Sequence, residues 1–498
     1  MLRPIDPFIK KVKDLAELLG ATVDIADSQG ETSTFSGVTS SSIEVESGDV
    51  FFALPGQKIH GAHYASDAQA LGAVAVVTDE EGSQLISGLP VLIVSNARRA
   101  AAIASAWFFN EPMRDMFSVG VTGTNGKTTI TTLCHQLLTG SQRQSGLIGT
   151  IETRIGLDAI SSKRTTPEAS ELQSLVAVMR ERHCRTVVME VSSHAIELER
   201  IRGGHFNLVA FTNLSQDHLD FHTTMEEYFQ AKAKLFSFEY AEAAFVNIDD
   251  AYGKRLAEEI EIPTTTISRL EPSADWHYSN IDIGRISTAL AVRGKGGILI
   301  ETTTQLHGGY NLDNLLMAIA IVSEDGMDPV EIAALVPFVT GAIGRLEPVQ
   351  IGQDFGAFVD YAHSPDAVRN VLLTLREMTQ KKIIAVLGCG GDRDRSKRNL
   401  MGQALVDGAD IAVFTSDNPR SEDPHSILDE MTKDLQLTEL RSVVVDREAA
   451  IRWAVNQAQP GDIVVVLGKG HEQGQEIAGV LHPFDDRRIL AVAIEAKR

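Results

Sequence analysis

Three cysteines in 498 residues, Cys134, Cys184 and Cys389, are too few and too scattered for a disulfide framework or a zinc site. Basic charge is also in short supply: 45 Lys and Arg against 67 Asp and Glu leave a formal net charge of −22. Non-specific nucleic-acid binding and docking on anionic lipid both need basic patches, so neither nucleic acid nor a membrane is expected as a partner. A polyanionic small ligand, which needs only local positive charge, is not excluded. The most apolar stretches, such as Ile463 to Leu467, are strand-length and fall far below the ~20 residues that cross a bilayer. The opening Met1-Leu-Arg-Pro-Ile-Asp6 lacks a basic segment followed by a long apolar run, so no signal peptide is expected and the chain reads as cytoplasmic. Internal repeats and low-complexity segments are missing as well.

What is present is the balance of a soluble globular protein, with 43% hydrophobic and 22% charged residues, at a length that implies two to four domains. Up to about residue 115, short apolar runs (Val50 to Leu54, Ala73 to Val77, Val91 to Val94) alternate with helical patterns, ending in an Ala-rich helix from Ala100 to Phe109. A second unit, 116–343, opens with a strand at Phe117 to Val121 and carries further buried strands at Val187 to Glu190 and Leu208 to Thr212. A third, 344–498, has strands at Ala357 to Asp360, Lys382 to Leu387, Ile411 to Thr415 and Ile463 to Leu467. The expectation is a three-domain α/β protein: a smaller N-terminal α/β domain, a central P-loop-type parallel sheet, and a C-terminal Rossmann-like doubly wound sheet. Ligand residues in such sheets gather at the carboxyl ends of the strands.

The first chemical motif follows the strand that opens the second unit. Gly123-Thr124-Asn125-Gly126-Lys127-Thr128-Thr129 leads into a helix, the order that a phosphate-binding loop needs. Its glycines let backbone N–H groups turn toward phosphate oxygens, the helix N-terminus adds positive potential, Lys127 reaches the terminal phosphates, and the Thr128 hydroxyl can coordinate Mg²⁺. Val121 stands where the general pattern has its first Gly. A nucleoside triphosphate with Mg²⁺ also needs carboxylate support. Glu190 at one strand end and His218 just past another suit that role, although each alone could be a buried ion-pair partner or a core histidine. Gly388-Cys-Gly-Gly-Asp-Arg393 lacks the G-x-G-x-x-G spacing and its downstream acid, so a dinucleotide is not expected there.

Gly123 to Thr129, Met189-Glu-Val-Ser-Ser-His194, Thr212-Asn-Leu-Ser-Gln-Asp-His-Leu-Asp220 and Tyr228-Phe-Gln-Ala-Lys-Ala-Lys-Leu-Phe236 together resemble the Mur ligase family, and the resemblance runs from Gly37 to Arg487. It implies an ATP-dependent amide-bond ligase that forms an acyl phosphate. Lys232, which by itself reads as a solvated helical lysine, is then a carbamate supporting a second Mg²⁺ with Glu190 and His218. Asn311 and Asn314, one helical turn apart, contact adenine, the alternative being helix capping. Arg345 reaches the γ-phosphate, with Asp360 as partner for the ribose or for Arg345. In the last domain Arg393, Asp417-Asn418-Pro419-Arg420, Gly468 and Glu472 hold the incoming amino acid. Arg420 points to meso-diaminopimelate, because in the family so resembled the members that add it have Arg at this place while lysine-adding members commonly lack it; a second carboxylate suits such a guanidinium fork. In the first domain Ser42 and the Pro55-Gly56-Gln57-Lys58 segment face the UDP part of the acceptor, while Thr165, Thr166, Ser192 and Arg200 grip its muramoyl-peptide.

The reaction so implied joins meso-diaminopimelate to UDP-N-acetylmuramoyl-L-alanyl-D-glutamate, in a chain expected to act as a monomer. The alternatives are the same ligation with L-lysine or another diamino acid, a folylpolyglutamate synthetase-like ligase, and a P-loop ATPase that couples hydrolysis to motion.

Overall fold

The computed structural model describes residues 1–24, 33–56, 58–219, 221–284 and 287–497. Gln57 and Asp220, both in motifs quoted above, lie outside the described residues.

The first sheet is built from β1 (Thr22–Asp24), β2 (Gly37–Thr39), β3 (Asp49–Phe52), β4 (Ala75–Thr78) and β5 (Val91–Ile93). Its order is β1-β5-β4-β3-β2, all parallel except β1. The Ala-rich helix α1 (Ala97–Phe108) starts where the Asn96 side chain accepts the Arg99 N–H, a standard cap. Its small buried side chains, Ala97, Ala100, Ala101 and Ala104 among them, let it lie close to its neighbours.

The second sheet begins with β6 (Phe117–Thr122), followed by α2 (Lys127–Gly140), β7 (Ser145–Ile148), the hairpin β8 (Glu152–Ile155) and β9 (Asp158–Ser161), and α3 (Ala169–Glu181). It continues through β10 (Thr186–Glu190), α4 (Ser193–Glu197), β11 (Phe206–Phe211), α5 (Met225–Ala233), β12 (Ala241–Asn247), β13 (Thr264–Ser268), β14 (Trp276–Ile283), β15 (Thr288–Gly294), β16 (Ile298–Thr304) and α6 (Gly309–Glu324). Eleven strands lie in the order β9-β8-β7-β10-β6-β11-β12-β13-β14-β15-β16. The centre is parallel as expected, but both edges are antiparallel, so the sheet is mixed. The antiparallel edges carry no continuous buried apolar run: β9 is exposed throughout, and β15 buries one face, with Thr288, Leu290 and Val292 inward and Ala289 and Arg293 outward. Register sets the site. Glu190 pairs with Val121 and Phe211 with Thr122, so β6, β10 and β11 end level. On one face α6, buried from Leu315 to Val322, packs with α2; helix α3 contributes to the core on the other.

The third sheet contains β17 (Glu347–Pro348), β18 (Gly356–Asp360), β19 (Ile383–Leu387), β20 (Ile411–Phe414), β21 (Arg441–Val443) and β22 (Ile463–Leu467), with α7 (Pro365–Met378) and α8 (Ser396–Gly408) among its crossovers. The order β17-β18-β22-β19-β20-β21 is parallel except for β17. Of the central strands, β19, β20 and β22 are apolar throughout, with Ile383 to Leu387 and Val464 to Leu467 fully buried, while β18 ends in the buried Asp360; this is the doubly wound pattern expected for this unit.

Candidate active site

The loop between β6 and α2 turns on two glycines with positive φ, 145° at Gly123 and 91° at Gly126. A Cβ on Gly123 would lie 1.8 Å from Thr212 Oγ1, and one on Gly126 2.3 Å from Asn314 Oδ1, so neither position admits a side chain. The loop is pinned to the end of β11. Thr212 Oγ1 donates to the Asn125 carbonyl at 2.6 Å, and the Asn125 N–H donates to Asn213 Oδ1 at 3.0 Å. Thr124 Oγ1 donates to the Ser215 carbonyl at 3.2 Å. Lys127 Nζ curls back onto the carbonyls of Gly123 and Thr124, each at 2.9 Å. Burial lowers its pKa, opposed by the Glu190 charge and assisted by Arg345.

Glu190, 1% exposed, is satisfied within its own domain. Its carboxylate accepts from Thr128 Oγ1 at 3.0 Å, from the Thr150 N–H at 2.7 Å and from Thr150 Oγ1 at 3.1 Å. Lys232, expected from its local sequence to be solvated, is instead 2% exposed. Its Nζ donates to the Gly123 carbonyl at 2.9 Å and lies 4.7 Å from the centre of the Tyr228 ring. Burial and the neighbouring Lys127 hold its pKa well below that of a free lysine. His218 sits in left-handed backbone (φ 55°) with its ring against His194 and Tyr228. Partial burial, then the charges of His194, Lys232 and Lys127, lower its pKa to about 3, which leaves the imidazole in the neutral form that can ligate a metal.

No hydrogen bond joins Glu190, His218 and Lys232 to one another. Among the described residues no three His, Cys, Asp or Glu side chains are grouped to hold a metal by themselves. The donor set near the loop is one carboxylate, one neutral imidazole and the Thr128 hydroxyl. These suit an oxygen-seeking divalent ion that takes its remaining ligands from phosphate.

A cavity of about 290 Å³ opens between the second and third domains, lined by Asn125, Gly126, Thr212, Asn314, Arg345 and Tyr361, among others. Asn314 faces the loop. Asn311 does not line this cavity: its Nδ2 donates to the His307 carbonyl at 2.9 Å, just before the helix, and the N-cap position itself is Gly308. Arg345 stacks 4.6 Å from the centre of the Tyr361 ring, and its buried Nε has no partner. Asp360 spends its carboxylate on the N–H groups of Leu346 (2.6 Å) and Ala362 (2.7 Å), so it shapes the turn that presents Arg345. The ribose contact expected of Asp360 thus competes with two backbone bonds. Burial raises its pKa, partly offset by the Arg345 charge.

A second cavity, about 330 Å³, is lined by Arg393, Asp417, Asn418, Arg420, Gly468 and Glu472. Thr165, Asp217 and His218 reach it from the central domain, and Tyr361 and His363 border both cavities. Two loops clasp here: a Cβ on Gly391 would lie 2.0 Å from the Pro419 carbonyl oxygen, while Arg420 Nη1 donates to the Gly391 carbonyl at 2.6 Å. Pro419 therefore serves through its backbone and does not line the cavity. Arg420, at φ 52°, also lies 3.4 Å from Glu476. Glu472 accepts from Asn418 Nδ2 at 2.8 Å and from Lys469 Nζ at 2.9 Å.

Among the residues expected to face the acceptor, Thr166 Oγ1 donates to the Glu190 carbonyl at 2.9 Å and accepts the Ser192 N–H at 3.1 Å; Thr165 Oγ1 accepts from Thr150 Oγ1 at 3.0 Å. Ser192 caps α4 by accepting the Ala195 N–H. Arg200 pairs with Glu168 at 2.8 Å beside a small hollow lined by Ser40 and Arg98. Ser42 is not among the lining residues; it begins the single turn Ser42–Glu44.

Sequence reasoning missed Asp217, His363, Lys397 and Lys469. Asp217 is 5% exposed and Lys469 completely buried. Asp217 precedes His218 inside a quoted motif and Lys469 follows Gly468, so adjacency to a chosen residue was the available signal. Burial would raise Asp217, but contact with His363 and the charges of His363, His218 and Lys397 hold it well below the usual carboxylate range.

Sequence models of the family match three stretches: the Mur ligase middle domain over residues 121–322, the Mur ligase glutamate ligase domain over 344–470, and the Mur ligase family catalytic domain over 34–106. The chain is 46% identical over 501 residues to the UDP-N-acetylmuramoyl-L-alanyl-D-glutamate–2,6-diaminopimelate ligase of Streptomyces coelicolor, covering 99% of this chain and 98% of that one. A solved structure of a ligase of the same name superposes with a TM-score of 0.66 at 33% identity, covering 95% of this chain and 97% of the other. Mycobacterium tuberculosis folylpolyglutamate synthase, complexed with ADP and AMPPCP, superposes at 0.60 over 74% of this chain and 92% of its own, but at 18% identity it shares the fold alone. The chain belongs to the Mur ligase family.

Proposed function

We propose that this ligase uses ATP to add meso-diaminopimelate to UDP-N-acetylmuramoyl-L-alanyl-D-glutamate, forming ADP and phosphate, in peptidoglycan precursor synthesis. The observation that carries the reading is the pair of cavities that meet at Tyr361 and His363, one beside the phosphate loop and one beside Arg393 and Arg420. A group activated by the first can be attacked from the second without crossing solvent. The name of the 46% identical relative agrees with it.

Lys127 and the backbone N–H groups of Gly123 to Thr129 hold the ATP phosphates, with Asn314 over the loop and Arg345 offering its unpartnered donor. A carboxylate oxygen of the acceptor's glutamyl group, oriented by Thr165, Thr166, Ser192 and Arg200, attacks the γ-phosphorus. The bond to ADP breaks and an acyl phosphate results. The diaminopimelate amine attacks the acyl carbon, loses a proton, and inorganic phosphate leaves. Thr128, Glu190 and His218 would hold Mg²⁺, which when bound draws charge from the phosphates. The neutral Lys232 amine adds CO₂ and releases a proton, giving N6-carboxylysine and adding a second anionic oxygen group to the Glu190 carboxylate of this donor set. Arg393 and Arg420 take the two carboxylates of diaminopimelate, and Glu472, held in place by Asn418 and Lys469, accepts its distal ammonium. Most of the catalytic effect is positioning and electrostatic stabilisation in a site closed to water.

In this scheme residues 1–115 take the UDP end, 116–343 bind ATP and 344–498 bind the amino acid, in a cytoplasmic monomer. Phosphate release should need both the nucleotide-peptide and the amino acid; release independent of both would turn the reading toward an ATPase. In competition, meso-diaminopimelate should outrun L-lysine and L-ornithine, and a preference for lysine would overturn the role given to Arg420.

A further inference from the structure

The basic run Arg393 to Arg398 opens α8, and its charges are not all balanced within the third domain. Arg395 and Arg398 are paired there: Arg395 Nη2 lies 2.8 Å from Glu422, and Arg398, 1% exposed, bonds Glu422 and Glu430 at 2.8 Å each. Lys397 differs. Its Nζ lies 3.2 Å from Oδ1 of Asp217, across the interdomain cleft. Lys397 occupies the first turn of α8 (Ser396–Gly408), where the helix dipole disfavours a cation, so its placement there calls for an outside anion. Asp217 provides it from the loop that follows β11, with its side chain 8% exposed and Lys397 at 12%. A second group of the third domain converges on the same carboxylate, with His363 Nε2 3.5 Å from Oδ2. One middle-domain carboxylate thus receives two third-domain side chains. Both border the second cavity, and His363 also borders the first.

We propose that Asp217 and Lys397 are positioning residues: their pair, with His363 beside it, latches the third domain onto the second and so holds the diamino acid cavity against the phosphoryl site. The latch makes no bond to a reacting atom. Its effect is to raise the share of molecules in which the two cavities meet, which helps the amine most because Arg393 and Arg420 travel with the third domain. The kinetic part rests on the function proposed above; the conformational part does not.

The variants are Lys397→Met, which keeps the stem and removes the charge, and Lys397→Arg, which keeps the charge. Small-angle scattering of the full chain without substrates should show Lys397→Met more extended than the wild type, and Lys397→Arg should match the wild type. In steady state, Lys397→Met should raise KM for diaminopimelate about tenfold or more, change ATP-analogue affinity less than about twofold, and leave Tm unaltered; Lys397→Arg should recover most of the loss. An unchanged scattering profile would overturn the latch, including the case in which KM alone rises because Lys397 touches the amino acid. A fall in Tm with equal losses for Met and Arg would also overturn it, as a packing effect. If the wild type fails to use any diamino acid, the function proposed above falls, while the scattering comparison still decides the latch.

Discussion

Glu190→Gln separates a structural from a catalytic role at the centre of the site, because the structure lets the two be weighed. The carboxylate accepts three hydrogen bonds, from the Thr150 N–H at Oε1 and from the hydroxyls of Thr128 and Thr150 at Oε2. A glutamine can set its oxygen opposite the fixed N–H and its NH₂ toward the two hydroxyls, which rotate to accept. What is lost is the charge assistance, ~1–1.5 kcal/mol per bond and so ~3–4.5 kcal/mol over the three, since bonds to ions contribute ~1.5–3 kcal/mol and neutral ones ~0.5–1.5. The relief from burying an ion offsets more than half of it, leaving a net loss of about 1–2 kcal/mol. For a domain this size that is a Tm decrease of about 2–6 °C. Losing a preorganised charge beside the transferring phosphoryl group costs more, about 100- to 1000-fold in kcat. Glu190 also supports protonation of Lys127 against burial. Without it the Lys127 pKa falls further, so the alkaline limb of the pH–rate profile should move to lower pH. The assay is phosphate release under saturating substrates, paired with thermal melting. A variant with more than a tenth of the wild-type kcat, or one that loses more than about 10 °C of Tm, would refute the reasoning, because Glu190 would then be a tether for the β7–β8 turn.

Lys232→Ala should lose at least about 100-fold in turnover, and wild-type activity should fall in CO₂-depleted buffer and return with bicarbonate; retention of activity in either case sinks the carbamate. Arg420→Lys should cut the preference for meso-diaminopimelate over L-lysine by about tenfold or more, read as a ratio of kcat/KM, because an ammonium cannot reproduce the bidentate fork. His135, buried beside Ser145 with its pKa lowered to about 4 from 6.5, binds its proton less readily folded than unfolded. It should therefore erode stability as pH falls from 6.5 toward 4, by at most about 3 kcal/mol. His135→Gln should flatten that part of the stability–pH curve measured by denaturant titration.

How much of this was legible beforehand depended on whether a feature left a local trace. The parallel strands did, because burial on both faces demands continuous apolar runs such as Ile383 to Leu387. The antiparallel edges from Trp276 to Thr304 did not: one-sided burial dilutes their signal with polar residues. The second cavity was legible as separate motifs whose members the fold then gathered. The burial of Lys232 was invisible, since nothing in Ala231-Lys-Ala-Lys234 distinguishes Lys232, 2% exposed, from Lys234, half exposed. Pairings such as Arg447 with Asp486, at 2.7 Å and fully buried, or Asp217 with Lys397, link residues 39 and 180 positions apart, and no short-range pattern encodes them.

Val121, the departure from the general loop pattern, has a structural reason. It is fully buried in β6, paired with both Glu190 and Ala210, and so belongs to the sheet and not to the loop. The chain leaves the sheet two residues later, at Gly123, where φ is 145° and the Thr212 hydroxyl occupies the place of a Cβ. The demand for glycine has moved with the turn. That displacement brings β11 into the site: Thr212 and Asn213 brace a loop shorter than the general pattern, and the chain that continues from them presents Asp217 and His218 to the second cavity. A shortened phosphate loop and the histidine-bearing loop after β11 are thus one device, and a Gly123→Ala substitution should disturb nucleotide binding and the Asp217–Lys397 contact together.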